Sequence, residues 1–102
     1  MNSTIKFAKK TLINNRRANY TLPTNTRLYP AQWNWDSAFI ALGYSNFNLD
    51  YSFKEIETLI SGQWEDGMVP HILFHIKDLN YTPNYKAWNC GKKVSSSGIT
   101  QP

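Results

Sequence analysis

Three short stretches gather the residue types that do chemistry. The first is Tyr29-Pro30-Ala31-Gln32-Trp33-Asn34-Trp35-Asp36-Ser37, which sets a carboxylate beside two indoles. An ionised carboxylate accepts hydrogen bonds from hydroxyls. An indole offers a flat apolar face with one polar edge. The combination suits a pyranose ring held at its face and its rim. The same Asp at a helix start can instead serve as a cap, with both tryptophans in the core. At the positive end of a helix, Asp36 is expected to stay ionised.

The second stretch, Gly62-Gln63-Trp64-Glu65-Asp66-Gly67-Met68-Val69-Pro70-His71, is polar and aromatic and follows a helix, where loops carry function. His71 and His75 stand four apart, but Ile72 occupies the place where a zincin needs Glu, and Pro70 opposes a mid-helix placement. Metal catalysis is therefore not expected, and no cofactor is implied. The third stretch is Ser95-Ser96-Ser97-Gly98-Ile99-Thr100-Gln101-Pro102. It contains neither a phosphate-binding loop nor a nucleophile elbow.

Helices and turns must position these stretches. Ser3 can cap a first helix to about Ala18, with Ile5, Ala8, Leu12 and Ile13 as its apolar stripe. Pro23 and Pro30 break the chain after it. A second helix starts within Trp33–Ser37 and runs to about Tyr44; Ala38 to Leu42 is apolar nearly all round, as in a buried helix. Asn48 can cap a third helix to about Gly62, striped by Leu49, Phe53, Ile56, Leu59 and Ile60, with Lys54, Glu55 and Glu57 on other faces. Asp66-Gly67 reads as a turn. Met68 to Ile76 reads as extended, and Lys77 to Pro102 as loop.

Composition sets the outer bounds. Across 102 residues, apolar types make up 41% and charged types 18%, so the chain is globular and no larger than one small domain. Aromatic residues reach 15%, which fits either a sugar pocket or a bulky core. The net charge of +4 is concentrated early, in Lys6, Lys9, Lys10, Arg16, Arg17 and Arg27. Without a nucleic-acid motif beside it, this reads as a solvated face, with no nucleic-acid or membrane partner expected. Cys90 is the only cysteine, which excludes an intrachain disulfide. Sequons at Asn2, Asn19 and Asn80 have no export signal before them, so a cytoplasmic location is expected.

In this order, the blocks Gln32-Trp33-Asn34-Trp35-Asp36-Ser37-Ala38-Phe39, Gly62-Gln63-Trp64 with Gly67-Met68-Val69-Pro70-His71, and Ser97-Gly98-Ile99-Thr100-Gln101-Pro102 resemble the opening of glycoside hydrolases related to family 63, of the mannosylglycerate hydrolase kind. The resemblance runs from about Tyr29 to Pro102. It implies an all-α fold, the N-terminal fragment of an (α/α)₆ barrel, with residues 1–102 a truncated part of that domain. It implies inverting hydrolysis of small α-glucosides or α-mannosides by a carboxylic acid and a carboxylate roughly 6.5–9.5 Å apart. Tyr29, Trp33 and Asp36 are thereby assigned to the sugar pocket, and Trp35, His71 and Gln101 to its wall. The acid and base are expected beyond Pro102, so the chain alone is expected to be inactive. A non-catalytic sugar-binding remnant is the alternative. Where such sequences often read Tyr-Phe-Pro-Gly-Pro-Asp before a Trp, this one reads Tyr81-Thr82-Pro83-Asn84-Tyr85-Lys86-Ala87-Trp88, which opens the question of the leaving group.

Overall fold

A computed structural model describes residues 2–24, 28–76, 81–89 and 95–101. Arg27, Asn80, Cys90 and Pro102 lie outside the described residues. The regular structure is mostly helical: α1 (Ser3–Asn15), β1 (Gln32–Trp33), α2 (Asn34–Tyr44), α3 (Leu49–Ile60), β2 (Ile72–Leu73) and the short α4 (Tyr85–Trp88).

The cap of α1 is Asn2 rather than Ser3: its Oδ1 accepts from Thr4 N–H at 2.7 Å. The helix also ends at Asn15, short of the expected Ala18. Arg16 bridges to Thr21, and Leu22 N–H reaches back to the Asn15 carbonyl at 2.9 Å, so the chain has already turned. Helix α1 meets α2 at Gly43, where an added Cβ would stand 3.2 Å from Leu12 Cδ1. The Tyr44 hydroxyl, bonded to Thr21 Oγ1 at 2.9 Å, reaches the Leu12 carbonyl at 3.0 Å and ties the two helices together. Of the early cations, Arg16 lies over the Tyr51 ring at 3.8 Å and Lys9 over Phe47 at 5.2 Å, so the basic face is partly engaged by aromatics.

Helices α2 and α3 form a hairpin whose polarity is inverted. Their buried residues are Ser37, Ala41 and Tyr44 on α2 and Ser52, Glu55 and Leu59 on α3. Ser52 Oγ donates to the Ala41 carbonyl at 2.7 Å across this seam. The outward face carries Trp35, Phe39 and Leu42 from α2 and Leu49, Phe53, Ile56 and Ile60 from α3, all exposed. The expected positions of both helices hold, including the Asn48 cap, whose Oδ1 accepts from Tyr51 N–H at 3.1 Å. Two readings are corrected. The run Ala38 to Leu42 is not enclosed in this chain, and Leu59 leaves the expected α3 stripe to join Glu55, placed off that stripe, in the seam. Glu55 is only 1% exposed.

Strands β1 and β2 pair antiparallel in the register Gln32↔Leu73 and Trp33↔Ile72. The serine segment adds itself to the far side of β2. Leu73 bridges Ser96, Phe74 N–H donates to the Ser95 carbonyl at 2.8 Å, and Ser97 N–H donates to the Ile72 carbonyl at 3.1 Å. Gly62 permits this packing, because a Cβ there would collide with the Leu73 side chain. At Asp66-Gly67 the expected turn forms, with Gly67 in the left-handed region at φ 97°. One further correction concerns the expected loop: Tyr85–Trp88 is helical, capped by Asn84 Oδ1 on Lys86 N–H at 3.0 Å. Ala31, Ile72 and Phe74 form the buried apolar centre, with Trp33, Tyr81, Tyr85 and Trp88 packed around it.

Candidate functional site

The site is organised by the first turn of α2. Its leading amides have no partner within the helix and must find one elsewhere. Trp33, at the cap position, supplies no side-chain acceptor. Distant segments supply it instead. Asn34 N–H donates to the His71 carbonyl at 2.9 Å, and Trp35 N–H donates to Gln101 Oε1 at 2.9 Å. Asn34 Nδ2 reaches the Val69 and Pro70 carbonyls at 3.5 and 3.4 Å. These bonds draw the three sequence blocks into one place.

Around that turn stands an aromatic ladder. Tyr29 meets Trp33 edge to face at a 5.5 Å centroid separation, and Trp33 meets Tyr81 in the same way at 5.5 Å. Trp35 lies beside Phe39 at 5.3 Å and is 52% exposed. His71 is met edgewise by Trp88 at 5.8 Å. Edge-to-face contacts of this kind fix ring orientation and leave other ring faces open.

His71 is held from both ends. Its backbone N–H donates to the Ile99 carbonyl at 2.8 Å, and its Nδ1 lies 2.7 Å from Ser97 Oγ and 3.2 Å from the Ile99 carbonyl. Ser97 Oγ also accepts from Ile72 N–H at 3.2 Å and donates to the Ile99 carbonyl at 3.2 Å. Ser97 Oγ thereby ties the His71 ring to the Ile72 amide and the Ile99 carbonyl.

Asp36 sits in the third position of α2, half-buried. Burial pushes its carboxyl above the ordinary value of 3.8, against the pull of a bond from its own backbone N–H. Burial therefore opposes the favourable end of the helix at this carboxyl. All six residues singled out from the sequence belong to this neighbourhood. Tyr29 contacts Trp33, Trp35 contacts Gln101, and His71 joins the chain at Asn34, directly before Trp35 and Asp36. The Gln101 side-chain oxygen accepts from the helix end at Trp35.

Sequence reasoning missed a layer beneath the site. Gln32 is fully buried. Its Nε2 stands 3.0 Å from Ser37 Oγ and 3.1 Å from both the carbonyl and Oε2 of Glu55. Its Oε1 accepts from His75 Nε2–H at 2.8 Å. Ser37 Oγ donates to the same Glu55 Oε2 at 2.6 Å. His75 stacks on Tyr20 with centroids 4.1 Å apart. Burial pushes Glu55 above its ordinary 4.5, opposed by bonds from Ser37, Thr21 and Gln32; it pushes His75 below 6.5. The only available signal was a Gln between apolar neighbours immediately before a helix. Among the described residues no group of three metal-binding side chains forms, and no helix is long and apolar enough to cross a membrane.

The site thus sets an indole and phenol ladder and a half-buried carboxylate around one short segment of a mostly helical scaffold. Residues 29–102 match the model of the mannosylglycerate hydrolase MGH1-like glycoside hydrolase domain, and the chain belongs to that family. Mannosylglycerate hydrolase MGH2 of Selaginella moellendorffii is 43% identical over 99 residues, covering 96% of this chain and 20% of that protein. The crystal structure of the GH63 mannosylglycerate hydrolase from Thermus thermophilus in complex with Tris and D-glycerate is 41% identical, with a TM-score of 0.81. It is matched over 95% of this chain and 22% of its own length. The Thermus thermophilus enzyme in complex with glucose is 40% identical, with a TM-score of 0.75, over 96% of this chain and 24% of that one. The chain therefore spans about a fifth of the relatives it matches.

Proposed function

We propose that this chain is the N-terminal part of an (α/α)₆ barrel that hydrolyses small α-mannosides or α-glucosides with inversion, mannosylglycerate being the type of substrate. In this reading Tyr29, Trp33 and Asp36 hold the sugar, and Trp35, His71 and Gln101 form the wall. The general acid and base belong to helices beyond Pro102, so this chain binds and orients and does not itself move the protons. The observation that carries the proposal is the convergence of the three sequence blocks on the first turn of α2, in a conformation close to that of an enzyme crystallised with D-glycerate and with glucose. The exposed Trp35, Phe39 and Leu42 and the α3 stripe support the barrel reading, since further helices would cover them.

The test is a chimera in which this chain replaces the corresponding fifth of the Thermus enzyme. Mannosylglycerate and glucosylglycerate turnover is expected in the chimera and not in the 102-residue chain alone. Asp36→Ala should lower kcat/KM by roughly ten- to a hundredfold, the cost of a hydrogen bond to a charged group at about 1.5–3 kcal/mol. Lys10→Ala, on an exposed helix face, should leave it unchanged. If folded Asp36→Ala and Trp33→Ala chimeras keep normal turnover, the site assignment is wrong.

A further inference from the structure

The segment from Gln32 to Ser37 carries Trp33, Trp35 and Asp36, and both of its ends are gripped by one buried oxygen. Gln32 Nε2 lies 3.1 Å from Glu55 Oε2, and Ser37 Oγ lies 2.6 Å from the same atom. The two grips also touch each other, at 3.0 Å across five positions. Gln32 and Ser37 are fully buried, whereas Trp33 and Asp36 are only half-buried and Trp35 is exposed. The inward and outward residues are therefore divided: the segment's ends point into the α2–α3 seam, and the site residues between them face away from it.

This seam is an expensive way to join two helices. Burying a carboxylate costs several kcal/mol by order of magnitude unless hydrogen bonds repay it. A wholly apolar seam would pack at less cost, yet beside Ala41, Tyr44 and Leu59 it takes in Ser37, Ser52 and Glu55, while Phe39, Leu42, Phe53 and Ile60 face outward. Among the described residues Glu55 is held by hydroxyl and amide donors and by no cation. Directional bonds fix geometry where apolar contacts would allow sliding, and buried polar groups are retained for that purpose in some proteins. The first turn of α2 needs such fixing because its own cap residue is a tryptophan.

From this geometry we infer that Glu55 is a positioning residue: its carboxylate clamps Gln32 and Ser37 and so sets the aim of Trp33 and Asp36. Glu55 touches no substrate in this arrangement and acts through the two residues it holds. His75 closes the clamp from the other side, by donating to the Gln32 oxygen that the carboxylate leaves unused. The inference rests on the sugar reading for its functional meaning, but its structural content can be tested without ligand.

The experiment compares the 102-residue chain with Glu55→Leu and Glu55→Gln by amide hydrogen exchange and by the indole N–H spectrum. Glu55→Leu is expected to accelerate exchange at Asn34 and Trp35 tenfold or more and to shift or broaden the Trp33 indole signal, while α1 amides exchange as before. Glu55→Gln is expected to restore the parent pattern at Asn34 and Trp35, because its amide oxygen can accept from Gln32 and Ser37, while the bonds from Thr21 are weakened. Unchanged exchange at Asn34 and Trp35 in Glu55→Leu, or an equal acceleration in α1, would overturn the clamp. Should Glu55→Leu fail to fold, Ser37→Ala provides the reading: selective loosening of the same two amides is expected, and none would refute the idea. A second arm titrates D-glycerate and glucose against the Trp33 indole signal. Weaker binding by Glu55→Leu with rescue by Glu55→Gln is expected. If the parent chain responds to neither ligand, the sugar reading fails while the exchange arm still decides the clamp.

Discussion

Replacing Gln32 with leucine tests the buried layer directly. The side chain is of similar length and cannot hydrogen-bond. Two losses dominate. The His75 Nε2–H, now 2.8 Å from Gln32 Oε1, is left as a buried donor without its acceptor. An orphaned buried donor costs about 1–3 kcal/mol. The bond from Gln32 Nε2 to the Glu55 carboxylate, at 3.1 Å, is also lost. A bond to a charged group contributes about 1.5–3 kcal/mol. Ser37 still donates to that oxygen, so the carboxylate is not abandoned. Together the losses come to about 2.5–6 kcal/mol, less some gain from burying leucine. For a domain of this size each kcal/mol lowers Tm by roughly 4–8 °C, so even a net loss of about 2 kcal/mol lowers it by about 8–16 °C. The assay is urea and thermal unfolding at low micromolar concentration, followed by tryptophan fluorescence. The double variant Gln32→Leu with Glu55→Leu should lose less than the sum of the single ones, because removing both polar partners leaves fewer orphans. A single-variant loss below about 1 kcal/mol, or strict additivity, would refute the account of the network.

Other consequences concern pH, association and packing. Glu55 has a raised pKa when folded, so the stability it contributes is greatest below 4.5 and declines as pH rises from there through its folded pKa. His75 has a lowered pKa, so stability rises with pH up to 6.5. Between about pH 4 and 8, the Tm of Glu55→Gln minus that of the parent should therefore rise as pH increases, and a fall in that difference would contradict the burial assignment. The outward stripes of α2 and α3 should make the chain associate. Phe39→Asp with Phe53→Asp should shift it toward monomer in sedimentation velocity, and a parent that is already a clean monomer would count against this. Gly62→Ala should destabilise the chain by about 1–3 kcal/mol, since the new methyl meets the fully buried Leu73. Thermal unfolding checks it, with no change as the contrary result.

Much of the local structure was legible along the chain. Asn48 before an amphipathic run marked the start of α3, and Pro30 with the aromatic block marked the approach to α2. The order of the three blocks identified the family and gave six residues that the fold does gather. The ends of α1 were less legible, because its stop depends on Arg16 finding Thr21 after a turn back. Helix α4 was missed because four residues carry too little periodicity to register.

What periodicity cannot decide is which face of a helix goes inward. Leu49, Phe53, Ile56 and Ile60 do share one side of α3, with Glu55 on another, but Leu59, expected in the same stripe, is buried in the seam with Glu55. By composition the apolar side belongs in the interior. In this chain most of it points outward, and Ser37, Ser52 and Glu55 share the seam with Ala41, Tyr44 and Leu59. The reason is tertiary. Gln32, arriving from β1, joins Ser37 in donating to Glu55 Oε2, and those bonds make a buried carboxylate tolerable. His75, from beyond β2, holds the Gln32 oxygen; the two lie 43 positions apart in sequence, and the β1–β2 pairing brings their segments together.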